Sequence, residues 1–186
     1  MLSRKNRCIR VRYANEFHLD ILPACPDVAS GVDCVVVPDR EARAWKASNP
    51  KGYAEWFEKR AESFKVEFAK QVEPLPDWQP SQARPPLSRA VQLLKRWRDV
   101  TYSKTPEVAP ISIVLTTLAG HNYGGQEFVN EAMDGILNGI MGNIPTVGRR
   151  LTVLNPTNLK EDLSERWNGE PEAYRAFVTS ITALRE

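Results

Sequence analysis

The sequence predicts an α+β fold with its strands first and its helices after them. Two observations carry this. Apolar residues recur at every second position in the runs between residues 7 and 39, and at every third or fourth position from about residue 50 onward. Between the two regimes stands SNPKG, residues 48–52, which has the composition of a helix start.

RCIRVRY, residues 7–13, alternates polar and apolar side chains, the period of a strand with one buried face. The turn-prone Ala14, Asn15 and Glu16 follow. FHLDILP then repeats the alternation, with Phe17, Leu19 and Ile21 on one face and His18, Asp20 and Leu22 on the other. These two runs predict an antiparallel hairpin, ended by Pro23. CVVVPD, residues 34–39, predicts a third short strand, stopped by Pro38.

The helical part begins with Tyr53, Trp56, Phe57, Phe64 and Phe68, whose spacing predicts a helix to about residue 71. Residues 72–86 hold five of the fourteen prolines and predict a loop. PLSRAVQLLKRWRD predicts a second helix with Leu87, Val91, Leu94 and Trp97 or Arg98 along its stripe. A third starts near Pro110 and runs through ISIVLTTLA, apolar enough to be buried on most sides. QEFVNEAMDGILNGIMG predicts a fourth, and EAYRAFVTSITAL closes the chain after the turn-like LNPTN.

At 186 residues, 42% hydrophobic and 26% charged, the composition is that of an ordinary globular protein. A net charge of +2 neither requires nor excludes a polyanionic partner. Cys8, Cys25 and Cys34 are odd in number and lack zinc-site spacing, so reduced thiols and no disulfide are expected. No apolar run approaches the roughly 20 residues that cross a bilayer. A cytoplasmic protein without a membrane partner is therefore expected.

Asp20 is the first candidate for chemistry. It reads equally as a solvent-facing strand residue or as a carboxylate ligand for a hard cation such as Mg²⁺. Two-metal chemistry needs several converging carboxylates, and Asp27, Asp33 and Asp39 form no DxD or DxE pair with it. Lys95 lies in the cationic cluster Lys95, Arg96 and Arg98, either a solvated helix face or a point charge for phosphates. Ser112 stands near the start of the apolar helix, as a first-turn residue or beside a phosphate at the helix N-terminus. His18 shares the face of Asp20, and His121 falls in GHNYGG, which reads as a turn. There is no GxxxxGK[ST] loop and no Ser/His/Asp or Cys/His constellation.

The order FHLDILPA, VVVPDREARAWKASNPKGYAEWF, PLSRAVQLLKRWRD, PISIVLTTLAG and VLNPTNLKEDLSERW resembles the bacterial cGAS/DncV-like nucleotidyltransferases, the cyclic-oligonucleotide synthases of the polymerase-β-like superfamily, over residues 7–184. The resemblance implies that residues 1–39 are remaining strands of a nucleotidyltransferase palm and residues 40–186 its α-helical C-terminal region. It implies Asp20 as the last of three metal-binding carboxylates, Lys95 as a phosphate contact and Ser112 as a nucleotide-facing serine, although Ile113 stands where an aromatic residue often follows. It further implies NTP substrates (ATP, GTP or others), two divalent ions (Mg²⁺ or Mn²⁺), a cyclic di- or trinucleotide product in anti-phage signalling, and room for a regulatory protein partner.

The family's first two carboxylates lie upstream of the FHLDILPA strand, where this sequence has about sixteen residues. A member lacking its N-terminal part, and inactive or nearly so by itself, is therefore the expectation. Two alternatives stand beside it. One is a non-catalytic helical module that binds a nucleotide or a protein, and the other is a nucleotidyltransferase of the same superfamily acting on RNA ends or on an antibiotic.

Overall fold

The computed structural model describes residues 1–14, 17–62, 84–146 and 148–186. The chain divides into two compact units. The first comprises Met1–Glu55 with Leu154–Glu161, and the second Trp56–Val153 with Asp162–Glu186.

In the first unit, β1 (Leu2–Arg4), β2 (Ile9–Tyr13) and β3 (Phe17–Ile21) form an antiparallel sheet in that order. The β2–β3 hairpin is the one the alternation predicts, while β1 was not foreseen. The register pairs Ile9 with Ile21, Val11 with Leu19 and Tyr13 with Phe17, so one face of the hairpin is apolar, with Leu2 and Arg4 of β1 beside it. That face is not buried: Phe17 is 61% exposed, and Leu19 and Ile21 are 51% exposed. The expectation of a buried side for this hairpin is thus corrected. Alternation sorts side chains onto faces, and burial requires a second layer that the described residues do not lay over this one.

A second sheet is formed by β4 (Cys25–Pro26), β5 (Val35–Asp39) and β6 (Ala44–Ser48). Its centre is the predicted CVVVPD strand, and Pro38 sits inside β5, opposite Trp45, rather than beyond its end. Asp39 anchors the β5–β6 turn. Its carboxylate accepts the Ala42 N–H at 3.0 Å and the Arg7 Nε–H at 3.0 Å, and it is buried. The ribbon β7 (Leu154–Asn155) and β8 (Asn158–Asp162) is a further correction to an outline of strands first and helices thereafter. Its turn is held by side chains: Asn155 Oδ1 accepts from both Thr157 N and Thr157 Oγ1 at 2.9 Å, so no hydrophobic period announces it.

Helix α1 (Pro50–Glu62) begins where SNPKG predicts. Asn49 Oδ1 accepts the Gly52 N–H at 2.9 Å, satisfying one of the donors a helix start leaves free. Phe64, Phe68 and nearly all of the proline-rich 72–86 segment lie outside the described residues.

The core of the second unit is built by α2 (Pro86–Thr101), α3 (Ser112–Asn122), α4 (Val129–Asn143) and α6 (Pro171–Arg185), with the short α5 (Arg166–Gly169) beside α6. Leu87 and Leu94 of α2, Leu115 of α3, Ile136 and Ile140 of α4, and Phe177 and Ile181 of α6 are completely buried. Each contributes about 1.5–3 kcal/mol by leaving water. Residues Val114–Gly120 of α3 are all buried, which explains why that helix lacks a polar face. Among the described residues no helix is long and apolar enough to cross a membrane.

Candidate functional site

Asp20 lies on exposed β3, directly across from Arg10 of β2. Arg10 Nε donates to Oδ1 and Nη2 to Oδ2, both at 2.7 Å, a two-pronged fit that a planar guanidinium makes well. This bonding holds the Asp20 carboxyl below its usual value, opposed by a little desolvation and helped by the Coulombic pull of Arg10 and His18 and by the Cys8 thiol. The Arg10 guanidinium is raised for the same reason. On the same face, Arg12 pairs with His18 and Ser3 with Arg10. The polar side of this sheet therefore presents two arginines, a histidine and one carboxylate.

Two other acidic residues of this region are engaged elsewhere. Asp39 is tied to Arg7 and Ala42, and Asp33 forms an ion pair with Lys51 at 3.0 Å. Among the described residues no group of three His, Cys, Asp or Glu side chains could hold a metal ion. A two-ion site needs several carboxylates around ions roughly 4 Å apart. One carboxylate already clasped by an arginine does not fit such a site, and these residues alone do not complete one.

Lys95 and Ser112 belong to the second unit. Lys95 is half-buried on α2, one helical turn before Arg98. Ser112 opens α3, and its hydroxyl accepts a hydrogen bond from Arg98 Nη1. Arg98 thereby ties Ser112 to the helix that carries Lys95, and it also pairs with Asp99. Beside this bond an open pocket of roughly 290 Å³ is bordered by Arg98, Asp99, Ile111 and Arg166, next to the N-terminus of α3. Positive side chains near free backbone N–H groups favour an anionic group. The structure thus brings Lys95 and Ser112 onto neighbouring helices joined by Arg98, while Asp20 stands in the other unit.

His121 is not in a turn. α3 continues to Asn122, and the imidazole packs 5.1 Å from the Trp56 ring, with burial and the nearby Arg60 holding its pKa down. Arg60 closes that helix by donating to the carbonyl oxygens of Gly120 at 2.8 Å and Tyr123. The role of Arg10 went unread in the sequence, although the signal was there. With Tyr13 opposite Phe17, counting outward sets Arg10 opposite Asp20.

No family model matches the chain. Among curated proteins it is similar to a c-di-GMP synthase of Roseivirga ehrenbergii, at 35% identity over 185 residues, covering 97% of this chain and 49% of the relative. Among solved structures it matches the Bradyrhizobium diazoefficiens CD-NTase CdnG in complex with GTP, with a TM-score of 0.77 and 22% identity, over 100% of this chain and 60% of that one. The chain spans about half the length of the curated relative it matches. In sequence the chain is thus similar to about half of a c-di-GMP synthase, and its α+β fold is that of a CD-NTase.

Proposed function

We propose that this chain supplies one metal-binding carboxylate and the helical, phosphate-contacting part of a cyclic-oligonucleotide synthase, which joins NTPs into a cyclic di- or trinucleotide. The observation that carries the proposal is the 35% identity, sustained along 97% of the chain, to a protein named as a c-di-GMP synthase. The GTP bound by the structurally similar CdnG supports a purine NTP as a substrate. Anti-phage signalling, a cytoplasmic setting and a regulatory protein partner are parts of the same proposal.

In this reading Asp20 is a ligand to one of two divalent ions, Mg²⁺ or Mn²⁺, whose site needs carboxylates beyond those described here. Lys95 places a compact positive charge against the phosphates. Ser112, oriented by Arg98, meets the nucleotide at the start of α3. Losing a hydrogen bond to a charged group costs about 1.5–3 kcal/mol, so Lys95→Ala is expected to lower kcat/KM roughly 10- to 100-fold.

The test is expression of the full open reading frame with labelled NTPs and chromatographic identification of the product. A cyclic product that vanishes with Asp20→Ala supports the proposal. A product that survives Asp20→Ala, or one that forms only on an added acceptor, refutes it. The 186-residue chain alone, with Mg²⁺ or Mn²⁺, is expected to give no product. A second reading, a nucleotide-binding module without turnover, is favoured by the closure of Asp20 on Arg10. It predicts binding of GTP by the full reading frame with no product under any condition.

A further inference from the structure

β3 stands at the edge of its sheet. The order β1–β2–β3 pairs it on one side with β2, and among the described residues no hydrogen bond reaches its other side. All five residues of Phe17–Ile21 are exposed. Alternate residues of such an edge aim unpaired N–H and C=O groups outward, a template for another strand. No proline, glycine or lysine interrupts FHLDI, and its one fixed charge is Asp20.

The strand is also its own complement. Laid antiparallel against a second copy about Leu19, it sets Leu19 beside Leu19, Phe17 beside the partner's Ile21 and His18 beside the partner's Asp20. Aromatic with β-branched, and imidazole with carboxylate, are pairings that stabilise neighbouring strands. Asp20 has room for this neighbour. Arg10 takes up its two oxygens from the β2 side at 2.7 Å each, yet a carboxylate has about four acceptor sites and the side chain stays 38% exposed. Across the joint each polar row reads Arg12, His18, the partner's Asp20 and the partner's Arg10, so the joint itself sets no cation against a cation.

We infer that the outer edge of β3 is a self-association surface, through which two copies of the chain join their three-stranded sheets into one antiparallel sheet with a twofold axis at Leu19. A symmetric pair of this kind closes on itself, because each copy offers the same patch. The inference is independent of the part proposed for the chain in synthesis. Phe17, Leu19 and Ile21 are each more than half exposed, and with the strand edge they offer on the order of 500 Å² per copy. That is less than the roughly 800 Å² per partner of a standard interface, so the pair is a weak one, with a dissociation constant of roughly 10–100 μM.

The experiment is sedimentation velocity of the 186-residue chain over a dilution series, beside Leu19→Lys and His18→Glu. Leu19→Lys sets two ammonium groups against each other at the twofold axis and should raise the dissociation constant roughly tenfold. His18→Glu sets a carboxylate against the partner's Asp20, twice per pair, and should raise it roughly fivefold. Within its own hairpin, however, the same glutamate gains an opposite charge across from it in Arg12, so the variant should melt no lower than the original. A merely structural role for His18 would lower stability and association together. Circular dichroism checks each fold; should Leu19→Lys unfold the hairpin, His18→Glu decides alone. A chain that stays monomeric well above the stated range overturns the inference and leaves the edge to another polypeptide. Association that neither variant weakens overturns it too. Association that only folded Leu19→Lys weakens places the contact on the bare apolar face and overturns the edge pairing, and association that only His18→Glu weakens while Leu19→Lys is folded overturns the axis at Leu19.

Discussion

Gly120→Ala sets two known effects against each other. In an exposed helix the change stabilises by about 1 kcal/mol, because glycine carries the larger backbone entropy cost. Gly120, however, is buried in α3 under the indole of Trp56, and a Cβ built there would lie 2.4 Å from Cη2, 3.1 Å from Cζ3 and 3.2 Å from Cζ2 of that ring. Carbon atoms rest at about 3.5–4.0 Å, so the ring would have to move by about 1 Å or more. Its freedom to move is limited by His121 at 5.1 Å on the same helix as Gly120 and by Phe57 at 6.5 Å.

Overpacking of this kind costs about 1–3 kcal/mol. Set against the helix gain, the net is a loss of about 1–2 kcal/mol in the less favourable half of that range. For a chain of this size that is a fall in Tm of roughly 2–8 °C. The assay is thermal unfolding followed by circular dichroism, with Trp56→Leu and the double variant completing a cycle. The smaller leucine should relieve the clash, so Gly120→Ala should cost less in that background. An alanine variant as stable as the original, or more so, would refute the claim that the indole decides the residue at 120.

Asp39→Asn removes the charge that pairs with Arg7 and weakens the acceptor for the Ala42 N–H, and should cost about 1–3 kcal/mol in urea unfolding. The Asp39 carboxyl titrates below its ordinary value of 3.8, chiefly through the Ala42 N–H, so its stabilisation is complete above that value and is lost as pH falls through and below it. The variant and the original should therefore converge in stability in acid; a gap that stays constant from neutral pH down to pH 2–3 would contradict this assignment. Phe177→Ala leaves a hole beneath Trp167, whose ring stacks at 4.9 Å, and should cost about 3–5 kcal/mol by denaturant unfolding. A cost under about 1 kcal/mol would mean that α6 does not pack as described.

The helices were the most legible part of the sequence, because in α2 the stripe Leu87, Val91 and Leu94 states both the period and the buried side. In α3 the almost wholly apolar run said, correctly, that the helix is buried on most sides. The end of α3 was misread. The glycines of GHNYGG suggest a turn, yet Gly120 is in the helix because its missing side chain admits Trp56, a reason that resides in a partner 64 positions away. The β7–β8 ribbon was missed on similar grounds, since the Asn155 side-chain oxygen, accepting from Thr157, rather than a hydrophobic rhythm holds its turn. Of the candidate site, Asp20, Lys95 and Ser112 came from motif order. The pairings that govern their chemistry, Arg10 with Asp20 and Arg98 with Ser112, are matters of register and helix packing.

The bare apolar side of the β1–β3 sheet also has a calorimetric consequence. Heat capacity rises on unfolding because apolar surface becomes wet, and on this sheet Phe17, Leu19, Ile21 and Ile9 are already about half wet or more in the folded chain. Melting these three strands therefore adds little to the heat capacity change, and little hydrophobic free energy opposes their opening. Their amides should exchange with solvent deuterium well before those of α3 and α4, so that the strand bearing Asp20 is held mainly by its hairpin bonds and by its grip on Arg10.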